Sequence, residues 1–324
     1  MIIHDKNTYF QILEKFEIVP YTQTRGWYEM HSMHKPERIK FFVNDKENPT
    51  IACFAHEKKM LGLKMILIEG EAYKDVSAYS VDEIRSFYEK INQLGYNIIE
   101  VNSNSLYNFD YETALRQAGY LRPVGLFSLP STKIIDLTQP IEYSKDWKKN
   151  IKKANKRGLH FEPLEKVTKQ DCDDFMDIYT EMGHAKSLPI PFCAKMLENL
   201  CSTGEFKMIF ISRDGVRIAA TIIYMDSDMG LSLYAATDSI ARKTSASYFM
   251  YNELFKYLNS VGVLIFDMGK LLPSTESVNN VFLFKNGIQG THIQLNGEWG
   301  RYRNSLLRSG MYFVKKHLLK KREI

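Results

Sequence analysis

The stretch TSASYFMYNELFKYLNSVGVLIFDMG (Thr244–Gly269) decides the architecture. Its first part reads as a long helix, Thr244–Gly262, closed by glycine. Four apolar residues, Val263, Leu264, Ile265 and Phe266, then read as a short buried strand that stops at Asp267 and Gly269. The same succession stands earlier in the chain, with a helix over Val81–Leu94, a glycine at Gly95 and a strand over Tyr96–Val101. Gly95 and Gly262 lie 167 residues apart, as do Ile98 and Ile265, and Glu100 and Asp267; Gly119 and Gly287 lie 168 apart. A fixed offset carried through helix stop, strand and strand end is the mark of a duplicated unit.

The rest of each copy falls into place around this pair. In the second copy a helix is expected over Asp171–Gly183, with Cys172, Phe175, Ile178, Tyr179 and Met182 on one face. Strands Phe206–Ser212 and Val216–Met225 flank the hairpin signal Arg213-Asp214-Gly215, and a third strand covers Leu231–Ala236. Beyond the deciding stretch come a helix over Val278–Asn286, stopped by Gly287, and a strand over Thr291–Leu295. The first copy offers helix Asn7–Phe16, strands Arg38–Val43, Thr50–His56 and Leu63–Ile68, helix Tyr111–Ala118 and strand Gly125–Leu129. Two copies of α-β-β-β-α-β-α-β give an α/β (α+β) chain with mixed, mostly antiparallel sheets flanked by helices. The expected domains are residues 1–140 and 141–324, with Ser131–Pro140 as the link.

Composition and charge narrow the function. The 324 residues are 44% hydrophobic and 25% charged, which suits folded cores in water, and no apolar run reaches the length of a membrane span. The N-terminus lacks a basic region followed by an apolar stretch, so no secretory signal is expected. The four cysteines form no C-x-x-C pair and have no histidine at zinc spacing, which fits a reducing cytoplasm and predicts no metal site. The net charge of +5 is unevenly spread. Lys145–Arg157 carries seven Lys/Arg and one Asp, and Arg301–Ile324 eight Lys/Arg and one Glu, so the remainder is net acidic. Two basic patches suit a polyanion such as RNA, a nucleotide diphosphate or an acidic lipid surface, and equally suit solvated helix faces. Peripheral contact of the basic tail with a membrane surface is an expectation, and DNA is not an expected partner.

The order of elements resembles the GNAT acyltransferase fold, in which the sheet splays after its central strand and an acyl donor meets an amine in the opening. Three motifs add a sharper likeness. Lys148, Lys149, Lys152, Lys153, Lys156 and Arg157 flank an apolar stripe of Trp147, Ile151 and Ala154 in KKNIKKANKRG (Lys148–Gly158). Phe266-Asp267-Met268-Gly269 is followed by Phe284-Lys285-Asn286-Gly287, and Gln23-Thr24-Arg25-Gly26-Trp27 stands near the N-terminus. Together these resemble the basic helix, the strand-end Asp-x-Gly with its downstream Phe-Lys, and the Gln-Ser/Thr-x-x-Trp of the Fem family. Those are peptidoglycan interpeptide-bridge enzymes that take amino acids from aminoacyl-tRNA.

The resemblance implies tandem GNAT-like domains with the acyl-transfer site in the second. It implies a donor, aminoacyl-tRNA, held by the basic helix, an anionic amine-bearing small molecule as acceptor, no bound cofactor and a cytoplasmic setting. Lys285 would stabilise the oxyanion or neutralise the tRNA 3′ end, or else cap its helix C-terminus. Asp267 would orient the amine or accept its proton, or else hold a loop. Phe284, Tyr224, Tyr234, Trp27 and His31 are the expected substrate-binding residues. The chain departs from the family pattern at His31, where a lysine that meets an anionic substrate is expected, and at Gly70-Glu71-Ala72. His31, His56 and His184 form no triad or metal pattern.

The donor can be weighed from the residues. CoA-dependent GNAT enzymes cradle a pyrophosphate in a glycine-rich loop ahead of the long helix, whereas Asp238–Ser247 has no glycine and neither does Glu71–Tyr79. Three readings stay open: a Fem-like aminoacyltransferase acting on a cell-wall precursor or related small amine, an acyl-CoA-dependent N-acyltransferase acting on an amino sugar of a surface polysaccharide, and a non-catalytic RNA-binding module.

Overall fold

The computed structural model describes residues 2–3, 5–60, 62–122, 131–271 and 280–318. In chain order the first elements are β1 (Ile2–Ile3), α1 (Lys6–Leu13), α2 (Arg25–Ser32), β2 (Ile39–Val43), β3 (Ile51–Met60), β4 (Leu63–Ile68), β5 (Ala72–Tyr73), α3 (Val81–Asn92), β6 (Ile98–Leu106), α4 (Phe109–Gln117) and β7 (Ser131–Asp136). There follow α5 (Lys145–Ala154), β8 (Leu159–Pro163), α6 (Lys169–Lys186), α7 (Ala194–Cys201), β9 (Phe206–Arg213), β10 (Val216–Met225), β11 (Met229–Thr237), α8 (Ser239–Thr244) and α9 (Ala246–Ser260). The last are β12 (Ile265–Asp267), α10 (Asn280–Asn286), β13 (Thr291–Tyr302) and α11 (Ser305–Phe313), continued by a π-helical turn, Val314–Leu318.

Two compact units result, Met1–Ser131 with Ile293–Ile324, and Thr132–His292. This differs from the expected division into 1–140 and 141–324. The cause lies in the final strands. Unit 1 has the strand order β1-β2-β3-β4-β6-β13, and unit 2 the order β8-β9-β10-β11-β12-β7. The strand that closes unit 1 is thus the last in the chain, with Trp299 opposite Val101 and Tyr302 opposite Ile98. Ser131–Asp136, expected as a link, is the strand that closes unit 2, with Ile135 opposite Phe266 and Ile134 opposite Asp267. The expected strand Gly125–Leu129 lies outside the described residues.

Within each unit the sheet is antiparallel except at one pair, β4 with β6 and β11 with β12. The helix ahead of the parallel strand covers each sheet. In α3 the Ser80 hydroxyl caps Glu83 N–H, Ile84, Phe87, Tyr88 and Ile91 are buried, and Gly95 turns the chain at φ +76°. In α9 the buried set is Met250, Tyr251, Leu254, Phe255 and Leu258, and Gly262 turns the chain at φ +88°. Each helix sits in its own apolar cluster, α3 with Phe42, Ile66 and Val101, and α9 with Ile209, Ile223 and Phe266.

Two expected helices change shape. The one expected over Thr244–Gly262 starts at Ala246 as α9, and Ser245, at left-handed φ of +61°, parts it from a short helix, α8, that was not expected. The one expected to stop at Gly183 runs on to Lys186. The stop falls instead at Ser187, which takes left-handed φ of +52°.

Candidate active site

Unit 2 holds the sheet splay. β11 pairs with β12 through only three residues, Met229 with Ile265, Gly230 with Phe266 and Leu231 with Asp267. β12 ends there, while β11 continues beside β10 as far as Thr237 opposite Ala219. A bulge sits at the parting: Ile222 faces Tyr234 and Ile223 faces Ser232, so Leu233 is the extra residue.

Asp267, Gly269 and Lys285 converge on this parting. Gly269 has φ +75°, and a Cβ on it would lie 2.8 Å from the Ser232 carbonyl oxygen, so only glycine lets the chain turn this close to β11. Asp267 is 8% exposed and organises the turn. Its Oδ1 accepts the Gly269 N–H at 2.7 Å and the Thr132 hydroxyl. Burial pushes its carboxyl up, while the Thr132 hydroxyl and the Gly269 amide pull it back. The Lys285 ammonium donates to the carbonyls of Gly269 (3.2 Å) and Lys270 (3.0 Å). Burial pulls its pKa down from 10.5 to about 8, against the opposing pull of Asp267. Lys285 is therefore mostly a cation at pH 7, and one that gives up its proton readily. Ser232 shares a 2.8 Å hydrogen bond with the Tyr251 hydroxyl behind it.

Lys285 is aimed by its neighbours. Phe284 packs its ring against Trp147 (4.7 Å between centroids), Tyr248 (5.1 Å) and Tyr251 (5.5 Å). The Trp147 indole N–H donates to the Phe284 carbonyl at 2.8 Å, and Ser144 N–H donates to the Gly287 carbonyl at 2.8 Å. A Cβ on Gly287 would lie 2.4 Å from the Trp147 ring, so glycine there lets α10 close on α5. Phe284 is thus an anchor of α10.

Helix α5 presents Lys148, Lys149, Lys152, Lys153, Lys156 and Arg157 as an exposed cationic ridge. Its other face carries buried Trp147 and Ala154, and Asn150 accepts the Ser245 hydroxyl at 3.0 Å ahead of α9. The ridge and Lys285 therefore belong to one packed assembly within unit 2.

Two expected residues sit elsewhere in unit 2. Tyr224 packs on Phe206 at 5.5 Å, beside Asp226 and Glu205. Tyr234 lies on the splayed part of β11 with its ring 4.6 Å from Phe192. In the loop where a CoA pyrophosphate is expected in GNAT enzymes, carboxylates already hold the amides. Asp238 accepts Ala241 N–H at 2.6 Å and Glu181 accepts Ser239 N–H at 2.7 Å.

Trp27 and His31 lie in unit 1 on α2. The Trp27 indole N–H donates to Glu69 at 3.2 Å, and its ring is 4.6 Å from His31. His31 and His56 meet edge to face at 5.3 Å, and His56 Nε2 is 3.7 Å from Glu69 Oε2. Burial lowers the pKa of His31 and takes that of His56 to about 4, so both rings are neutral at pH 7. Where the resemblance expects a cation, the chain holds a neutral imidazole beside a carboxylate. Among the described residues no three His, Cys, Asp or Glu side chains converge as metal ligands.

Sequence reasoning missed Thr132 and Ser232. Their partners are remote in the chain, and only the pairing of β7 with β12 brings Thr132 to Asp267.

No sequence profile of a known protein family matches the chain, and no curated protein matches it. Solved structures do. A crystal structure of FemX superposes with a TM-score of 0.73 at 13% identity, covering 96% of this chain and all (100%) of that one. The structure of L-PGS from Bacillus licheniformis gives 0.67 at 13% identity, over 96% of each chain. A tandem GNAT protein from the clavulanic acid biosynthesis pathway gives 0.55 at 9% identity, over 94% of this chain and 98% of that one. The chain has the Fem-like tandem GNAT fold.

Proposed function

We propose that the protein is a Fem-like transferase that moves an aminoacyl group from aminoacyl-tRNA to an amine and forms an amide. The observation that carries this reading is the half-buried Lys285 ammonium at the splay, on a helix locked by Trp147 to the exposed lysine ridge of α5. The ridge would hold tRNA phosphates and so bring the 3′ ester to the splay. The acceptor nitrogen attacks the ester carbonyl carbon, and Lys285 stabilises the negative oxygen that develops. The bond to the ribose oxygen then breaks, and that oxygen takes the proton released by the amine. The ester is already activated, so positioning and charge stabilisation carry most of the rate.

The carboxylates of Asp238 and Glu181 in the α8 loop favour tRNA over CoA, because a pyrophosphate would meet negative charge there. The neutral His31 and His56 beside Glu69 favour an acceptor amine that does not hang from a nucleotide diphosphate. A cell-wall precursor or related small amine in the cytoplasm, where charged tRNA is found, fits the reading.

A donor screen tests it. The purified protein is incubated with a pool of charged tRNAs or with acyl-CoAs, plus a panel of amines, and release of free tRNA or free CoA is measured. Amide formation from charged tRNA that is lost in Lys285→Met supports the proposal. Transfer from acyl-CoA alone would establish the N-acyltransferase reading instead. RNA binding without transfer, unaffected by Lys285→Met, would establish the binding module.

A further inference from the structure

The proposed transfer uses one of the two basic segments and leaves the C-terminal one without a task. Helix α11 and its extension carry two apolar stripes. Leu307, Met311 and Val314, spaced by four and three residues, face inward, with Met311 buried and the other two half-buried. Leu306 and Phe313, two helical turns apart, form a second stripe on the solvent side, 81% and 57% exposed. Lys316 follows Phe313 by three residues, and Arg303 stands exposed just ahead of the helix. Lys316 donates to the Tyr312 hydroxyl at 3.2 Å and lies 5.5 Å from the centre of that ring, which keeps an aromatic-cation pair beside the apolar stripe. The sequence from Arg301 to Ile324 holds eight Lys/Arg against one Glu.

Three occupants can be compared for this face. A second copy of the chain would bring two cationic flanks against each other. RNA would neutralise the cations but leave Leu306 and Phe313 in water. An anionic bilayer satisfies both, with the acyl boundary taking the apolar pair and the headgroup phosphates taking the cations. We propose that α11 is a membrane-surface anchor, docking the protein reversibly on anionic lipid with Leu306 and Phe313 entering the headgroup–acyl boundary. Arg303 and Lys316 then sit at phosphate level. The attachment is peripheral, since no described helix is long and apolar enough to cross a bilayer. It does not depend on the donor or acceptor proposed above.

The test is flotation of the full chain with vesicles of phosphatidylcholine containing about 30% phosphatidylglycerol, and with phosphatidylcholine alone. The expected result is binding to the anionic vesicles only, weakened by salt. Leu306→Ser combined with Phe313→Ser lowers that binding by about tenfold or more, and Arg303→Gln lowers it about fivefold. The double variant keeps the wild-type melting temperature and its transfer to soluble amines, so loss of the anchor is distinguishable from failure of the transferase reading. Three results overturn the proposal: no binding to anionic vesicles, equal binding by wild type and double variant, or a dimer in sedimentation that the double variant dissolves.

Discussion

Replacing Lys285 by methionine tests whether an ammonium sits in a desolvated splay. Burial takes the Lys285 pKa from 10.5 to about 8. At about 1.4 kcal/mol per unit, the folded chain disfavours the charged form by about 3 kcal/mol relative to the unfolded chain. The sign follows from proton counting. Between pH 8 and 10.5 the unfolded chain keeps a proton that the folded chain has lost, so wild-type stability rises through that window. Lys285→Met has no such titration. The stability of the wild type minus that of the variant should therefore grow by about 2 to 3 kcal/mol between pH 7 and pH 10. Tyrosines and cysteines that titrate in this range are common to both proteins and cancel in the difference. The donor lost to the carbonyls of Gly269 and Lys270 shifts the whole curve without tilting it. Urea unfolding at a series of pH values measures the quantity. A flat difference would refute the placement of the ammonium. Transfer should follow the same proton: the variant loses about a hundredfold or more in kcat, and the wild-type rate falls above about pH 8.

The remaining predictions address other links. Glu71 is buried against the hydroxyls of Tyr111 (3.0 Å) and Tyr73 (3.3 Å), and desolvation raises its pKa to about 7. The folded chain holds that proton longer, so stability falls by about 3 kcal/mol from pH 4.5 to 7 through this group, and Glu71→Gln removes the slope in pH-dependent melts. Gly287→Ala would overfill the contact with Trp147 and should destabilise by about 1 to 3 kcal/mol in urea unfolding, whereas Gly310→Ala, helical and with open space around it, should cost nothing. Lys152→Glu with Lys153→Glu should weaken binding of charged tRNA and flatten its dependence on salt, read by filter binding at several salt concentrations, while leaving the melting temperature near wild type, because both side chains are exposed.

The duplicated architecture was readable because it is written in local terms. Gly95 and Gly262 each stop a helix at positive φ, and each is followed within three residues by the isoleucine that opens the strand. The exchange of closing strands was not readable. A strand's partner is set by contacts remote in sequence, and nothing in Ser131–Asp136 says which sheet it will join. That segment even looks like a linker, because Thr132 and Lys133 are polar. In the fold both are buried and matched, Thr132 by Asp267 and Lys133 by the Asn286 carbonyl at 3.3 Å. Gly183 misled for the opposite reason. A glycine near a helix end reads as a stop, but here the helix runs on to Lys186 and the left-handed residue that ends it is Ser187.

The Phe-Lys pair shows how a motif can be legible while its division of labour is not. In sequence, both residues are candidates to touch substrate. In the fold, Phe284 is held on three sides by Trp147, Tyr248 and Tyr251, and its carbonyl by the Trp147 indole. One residue along an α-helix is a rotation of about 100°. With Phe284 locked inward, Lys285 is turned toward the carbonyls of Gly269 and Lys270, and Gly287 lets α5 press close enough to keep it there. The phenylalanine fixes the direction in which the lysine acts. The same tryptophan that locks the phenylalanine stands on the helix whose opposite face is the cationic ridge. The helix that would hold a polyanion on the proposed reading and the helix that aims the ammonium therefore meet at this tryptophan. For that reason Trp147→Phe, which keeps an aromatic ring of smaller size and removes the indole N–H, should reduce kcat while leaving the affinity for RNA set by the exposed lysines unchanged.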